Sequence, residues 1–148
     1  MTLEGEYEPS QWEWVRNQVE KYEASGGREA NTLQGSKDPI VVITSVGASS
    51  GKLRKNPVMR VEKEGTYVAV ASKGGADENP AWYANFVAHP LIDLQDGPEA
   101  KPYRARLVGG DERSKWWAHA VATWPTYASY QEKTKREIPV FVLEPVNG

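Results

Sequence analysis

The chain has 148 residues, a formal net charge of −2 and no cysteine. That length suits one domain with a real core, and the missing thiols exclude a disulfide framework, a cysteine nucleophile and cysteine-based metal sites. The charge provides no global basic field for nucleic acid. His89 and His119 are the only histidines, so no metal site is assigned.

The N-terminal stretch from Met1 to Trp14 is acidic and lacks an apolar run. It does not read as a signal peptide, and no later stretch approaches the roughly 18 apolar residues of a membrane span. A cytoplasmic location is expected, with peripheral contact at the inner face of the membrane left open. Six Trp and seven Tyr against two Phe give an excess of aromatic side chains with a polar handle. Such side chains suit a core, and equally the wall of a site for a flat ligand.

In chain order, Ser10 is a candidate N-cap for an amphipathic helix from Gln11 to Ala24. Trp12, Val15, Val19 and Tyr22 recur at helical spacing, and Ser25-Gly26-Gly27 ends it. The polar run 26–38 reads as a linker. This divides the chain into an N-terminal helix and linker, 1–37, and a strand-rich domain, 38–148. Ile40 to Ser45 is a β-branched run expected to be a strand buried on both faces. Val58 to Val61 and Tyr67 to Ala71 flank Glu64-Gly65 as a β-hairpin. Pro80 opens a helix carrying Trp82, Tyr83 and Phe86. Leu91 to Leu94 and Tyr103 to Val108 are strands around Asp96-Gly97-Pro98. Asp111 to Ala122 is a helix, a short helical piece with Tyr127 and Tyr130 follows Pro125, and Ile138 to Leu143 is the last strand. Strands joined mostly by hairpins, with helices inserted, predict an α+β fold around an antiparallel sheet, a small closed or split barrel.

Two stretches suggest anion binding. Ser72-Lys73-Gly74-Gly75 follows a strand and precedes a helix. Glycines admit a close backbone approach, the lysine adds charge, and the helix start offers unpaired N–H groups. The second stretch, Gly47 to Pro57, reads as a loop. It holds Lys52, Arg54 and Lys55, Arg60 follows it, and no acid occurs from Val46 to Val61. Arginine gives bidentate contacts to phosphate or carboxylate and lysine a point charge. If the flanking strands were neighbours, Lys73 would reach the same ligand. Other constellations are weaker. Asp93 and Asp96 are expected to be solvated, His89 to end a helix, and His119 has no nucleophile-elbow signature near it.

Taken together, several motifs resemble one family. They are Gly47-x-x-x-Gly51-x-x-Arg54-x-Asn56-Pro57, Ala69-Val70-Ala71-Ser72-Lys73-Gly74-Gly75, Asn79-Pro80-x-Trp82-Tyr83-x-Asn85, Trp124-Pro125-Thr126-Tyr127-x-x-Tyr130 and Ile138-Pro139-Val140. In this order and spacing, over about residues 38–145, the chain is similar to the deazaflavin-dependent nitroreductase family of actinobacteria. The resemblance implies a split β-barrel related to flavin-binding proteins, and coenzyme F420, whose tail carries a phosphate and glutamates. It implies hydride transfer from reduced F420 to a quinone, a nitroaromatic or an activated enone or lactone.

By the same resemblance, with the two anion-binding stretches, the cofactor residues would be Ser49, Ser50, Lys52, Arg54, Lys55, Asn56, Pro57, Met59, Ala71, Ser72, Lys73, Gly74, Gly75, Asn79, Pro80, Ala81 and Trp82. Ser72, Tyr127 and Tyr130 are the candidate catalytic residues, the tyrosines facing the acceptor. Many family members have basic residues where this chain has Ala48 and Ser49, which predicts a modest dependence on tail length. The alternatives are a non-catalytic deazaflavin carrier and an FMN-dependent oxidoreductase of the same fold. Expected partners are the cofactor and a small electron acceptor, with no nucleic acid; the oligomeric state stays open.

Overall fold

A computed structural model describes residues 3–33 and 35–146. The first helix, α1 (Glu13–Ala24), lays Val15, Val19 and Tyr22 on the sheet. Its N-cap is Trp12 rather than Ser10. Ser10 instead accepts the Trp12 N–H through Oγ, and its carbonyl accepts from Arg16 Nη1, which holds the turn before the helix.

The strands are β1 (Ile40–Val46), β2 (Leu53–Met59), β3 (Glu62–Lys63), β4 (Thr66–Val70), β5 (Leu91–Gln95), β6 (Ala100–Val108) and β7 (Val140–Pro145). All neighbours are antiparallel, in the order β2-β1-β5-β6-β7-β4-β3. The sheet curls into a half-barrel, the split-barrel α+β fold expected. Helix α2 (Ala81–Ala88) closes its inner face, where Trp82 and Phe86 meet Val41, Ile43 and Phe141. Helices α3 (Gly110–Thr123) and α4 (Thr126–Glu132) cover the outer face over β4 and β7, and α1 covers it over β1 and β2.

Two strand expectations need correction. The basic stretch 53–57 belongs to β2, paired residue for residue with β1 from Leu53↔Val46 to Met59↔Ile40. The expected loop therefore ends before Leu53, and Pro57 sits within a strand: β2 is an edge strand and tolerates a residue without an N–H. Because β1 claims Val58 and Met59, the hairpin around Glu64-Gly65 is short: Glu62 and Lys63 pair with β4, and the Val61 carbonyl accepts the Val68 N–H. Its turn stands, with φ of 53° at Glu64 and 85° at Gly65, the pair of positive angles that a two-residue hairpin turn needs.

The acidic pair also differs from expectation. Asp93 is 5% exposed, because its register beside Thr44 puts it under the N-terminal segment. Its Oδ2 accepts the Leu3 N–H at 2.7 Å, and Oδ1 has no partner among the described residues. Asp96 accepts from Arg60 Nε at 2.8 Å and from the Tyr67 hydroxyl at 2.5 Å. Burial, and then the Asp96 carboxylate, push the Tyr67 hydroxyl well above its usual range.

Candidate active site

The curl brings the C-terminal end of edge strand β2 near the C-terminal end of β4. A cavity of about 210 Å³ opens between them. Pro57, Val58 and Met59 contribute one wall, and Val70, Ser72, Lys73, Gly74 and Pro80 another. Trp14 of α1, Trp124, and Tyr127 and Tyr130 of α4 complete it with aromatic faces. Trp124 is fixed by an Nε1–H bond to Asp38 at 3.1 Å, and both tyrosines pack on it edge-on.

Trp82 lines this cavity and also a second cleft of about 360 Å³ on the other side. The second cleft takes Ser49, Ser50, Arg54, Asn56 and Ala81, with Asn85 and Glu8. Position along β2 sets the sorting: Arg54 and Asn56 lie toward the loop end and reach the second cleft, while Pro57, Val58 and Met59 at the far end line the first cavity. Alternation sends Lys55 to the face opposite Arg54 and Asn56. The loop above is held by Asn85, whose Oδ1 accepts the Ala48 N–H at 2.8 Å. A Cβ at Gly47 would lie 2.5 Å from Ser50 Oγ, so a side chain there would displace that hydroxyl from its bond with the Lys52 N–H.

Of the expected cofactor residues, Ser49, Ser50, Arg54, Asn56 and Ala81 line the second cleft. Pro57, Met59, Ser72, Lys73, Gly74 and Pro80 line the cavity, and Trp82 lines both. Lys52, Lys55, Ala71, Gly75 and Asn79 line neither. Lys52 faces Glu6 at 3.9 Å, and Lys55 donates to Glu23 at 2.5 Å over the Tyr7 ring. Ala71 is fully buried in the barrel. Asn79 Oδ1 accepts from Arg136 at 2.8 Å. Gly75 serves a contact other than a ligand's: a Cβ there would sit 2.8 Å from the Tyr130 carbonyl oxygen. Nor are β2 and β4 sheet neighbours, as a shared ligand site had required; the curl brings their ends together, and Lys73 and Arg54 line different clefts.

The local charges are paired. Arg54 Nη1 donates to Glu8 Oε1 at 2.7 Å. Glu8 stays there because the N-terminal segment adds to the β2 edge: Glu8 N–H donates to the Leu53 carbonyl and Leu53 N–H to that of Glu6. Lys73 donates to Glu78 at 2.7 Å and holds that carboxyl below its usual range. Lys73 itself has φ +47°, a left-handed conformation that costs a non-glycine residue about 1–3 kcal/mol and needs support from its surroundings.

Among the candidate catalytic residues, Tyr130 is half-buried at the cavity wall, with Lys133 Nζ 5.3 Å from its ring centroid. Tyr127 is 3% exposed, and burial pushes its hydroxyl above the ordinary tyrosine value. Ser72 is buried at the cavity floor. Among the described residues no group of three or more His, Asp or Glu is arranged to hold a metal ion. His119 lies outside the site, Nε2 2.9 Å from the Glu62 carbonyl oxygen.

The sequence reading missed Glu8, Trp14, Asn85 as a loop anchor, and Arg136. The alternating acids Glu4, Glu6 and Glu8 were a visible signal; nothing local showed that they would meet Arg54.

The family model described as F420H(2)-dependent quinone reductase matches residues 14–145. The F420H(2)-dependent quinone reductase Rv1261c of Mycobacterium tuberculosis strain H37Rv is 30% identical over 125 residues, covering 82% of this chain and 83% of the relative. A solved structure of an F420-H2 dependent reductase, FDR-A, is 51% identical with a TM-score of 0.68, over 72% of this chain and 94% of that one. Another, described as a domain-swapped dimer, is 46% identical with a TM-score of 0.71, over 91% and 100%.

Proposed function

Because this chain belongs to the F420H(2)-dependent quinone reductase family, we propose that its two clefts, joined at Trp82, hold reduced coenzyme F420 and present it to a quinone. The observation that carries this reading is the pairing itself. An aromatic-walled, mainly apolar cavity shares Trp82 with a cleft bearing a guanidinium and two serine hydroxyls. A flat ring with an anionic tail needs that division. When bound, the deazaflavin supplies a hydride from carbon and reacts poorly with oxygen. The chain's own work is binding, orientation and exclusion of water.

In this reading Pro57, Met59, Pro80, Ala81 and Trp82 flank the ring, and Ser72, Lys73 and Gly74 form the floor beneath it. Arg54, Ser49, Ser50 and Asn56 hold the phosphate and carboxylates, with Lys52 and Lys55 adding positive charge from the neighbouring face. Ala71, Gly75 and Asn79 shape the loop. Tyr130 positions the acceptor or donates a proton to it through its hydroxyl. Tyr127 backs Tyr130 from the core. Segment 1–37 supplies Trp14 and Leu33 to the acceptor side and Glu8 to the tail cleft, and 38–148 supplies the rest. No helix among the described residues is long and apolar enough to cross a membrane. A lipid-soluble quinone would meet the protein at its surface, near the exposed Trp12 and Trp14.

The test is a titration of the apo-protein with coenzyme F420 and with FMN, followed by acceptor screening with the reduced form. Preference for F420 and turnover of a quinone are expected. Equal affinity for FMN, or tight F420 binding without turnover of any acceptor, would overturn the reading.

A further inference from the structure

We propose that Arg136 is a positioning residue: its guanidinium fixes the 71–79 loop against α4 and so sets Ser72 and Lys73 in place relative to Tyr130. This rests on the reductase reading for its kinetic consequence, though not for its geometry.

The loop has little structure of its own. Beyond Ala71, whose N–H donates to the Pro139 carbonyl, its backbone bonds are short-range: Ser72 N–H to Val70, Gly75 N–H to Ser72 and Ala76 N–H to Lys73. The chain passes through three consecutive left-handed residues, Lys73, Gly74 and Gly75. In doing so it turns several acceptors toward one point. Arg136 meets them there: Nε donates to the Ala76 carbonyl at 2.8 Å and Nη1 to Asn79 Oδ1 at 2.8 Å. Its Nη2 donates to the carbonyls of Ala71, Ser72 and Glu78 at 3.0–3.2 Å. Only a planar fork of N–H donors spans acceptors so arranged; a lysine concentrates its donors on one atom.

Arg136 is itself tied to the helix that carries Tyr130. Gln131 Nε2 donates to the Arg136 carbonyl at 2.7 Å, and Gln131 Oε1 accepts the Ile138 N–H at 3.0 Å. Thr134 Oγ1 donates to Asp77 at 2.9 Å, a second tie from the same segment to the loop. At Gly75 the loop lies so close to α4 that an added Cβ would sit 2.8 Å from the Tyr130 carbonyl oxygen and 3.0 Å from Lys133 Cβ, which leaves little room for a shift. With its donors spent on the loop, Arg136 is not placed to bind an anionic ligand. Its role is to hold the cavity floor at a fixed distance from the tyrosine wall.

Full-length Arg136→Lys and Arg136→Ala test this. In the protein without cofactor, amide exchange at Gly75 and Ala76 should rise at least about tenfold, a loosening confined to the loop, while the β4 and β7 amides keep wild-type protection. With reduced F420 and a soluble quinone, turnover should fall about ten- to a hundredfold, the scale of a small misplacement in a reacting pair. Guanidinium ion added at millimolar concentration should restore part of the turnover of Arg136→Ala. Wild-type loop protection would overturn the proposal. So would protection lost equally across β4 and β7, or a loosened loop with wild-type turnover. If the wild-type protein fails to turn over F420, the reductase reading falls, while the exchange result still decides the clamp.

Discussion

Replacing Tyr130 by phenylalanine removes one hydroxyl from the cavity and keeps the ring, whose centroid is 5.7 Å from that of Trp124. Turnover of a quinone should fall by about 10²–10⁴-fold where the hydroxyl donates a proton, and by less where it only positions the acceptor, with F420 affinity nearly unchanged. Steady-state kinetics beside a binding titration separate these outcomes. Arg54 and Glu8 should respond in opposite directions. Arg54→Ala loses a charge-assisted bond to the tail and should weaken F420 binding about tenfold. Glu8→Gln frees that arginine; the pair is half-exposed, so the gain should be only about 0.5–1 kcal/mol, a few-fold tighter dissociation constant. Tyr127 allows a pH test. Burial raises its folded-state pKa above that of the unfolded chain. The stability this represents is fully present below about pH 10 and is lost as pH rises further, at up to about 1.4 kcal/mol per pH unit. Tyr127→Phe should flatten that alkaline limb relative to wild type, measured by urea unfolding across the range.

Helix α1 has two faces with different work. Val15, Val19 and Tyr22 are buried against Ile40 and Val42, each apolar side chain worth about 1.5–3 kcal/mol of burial. Tyr22 also receives the Gly97 N–H and donates to the Gln95 carbonyl. Trp14, 45% exposed, leans into the cavity instead. Trp14→Ala should therefore change KM for the quinone and the ranking of acceptors while leaving the melting temperature within a few degrees. A large loss of stability with unchanged selectivity would assign Trp14 to packing alone. The periodicity of α1 was legible in Val15, Val19 and Tyr22, since apolar spacing on a helix reports which side is buried; Trp12, counted in the same stripe, precedes the helix and is 68% exposed. The extent of β2 was not: Arg54, Lys55, Asn56 and Pro57 look like a loop because a solvent-facing edge strand places no demand for apolar residues or backbone donors on its outer side.

At the scale of the molecule, Asp96 ties the curl together. It follows β5 in the middle of the sheet, and accepts from Arg60 beyond β2 and from Tyr67 on β4, elements near opposite edges. Asp96→Ala leaves both donors unpaired and should cost about 1–3 kcal/mol, discounted for partial exposure. Since the same curl brings the end of β2 near the end of β4, F420 affinity should fall as well. Thermal unfolding and a cofactor titration of the same variant check the two effects together. Asp96→Asn, able to keep one acceptor, should lose less of both.

The sequence by itself determined the elements and the chemistry of their side chains. β-branched runs, turn residues and helical spacing act through neighbours a few residues away, so the antiparallel α+β barrel, the Glu64-Gly65 turn and the aromatic piece after Pro125 were all readable. The joint spacing of the glycine, Asn-Pro and tyrosine motifs was enough to point to the deazaflavin-dependent family. Tertiary structure alone decided which charges meet. Glu8 faces Arg54, and Arg136 reaches loop residues about 60 positions earlier in the chain. It also decided that the expected cofactor residues sort into two clefts on either side of Trp82. The reason is physical: the curl of the sheet joins edges that lie far apart in the chain, and no local pattern encodes that juxtaposition.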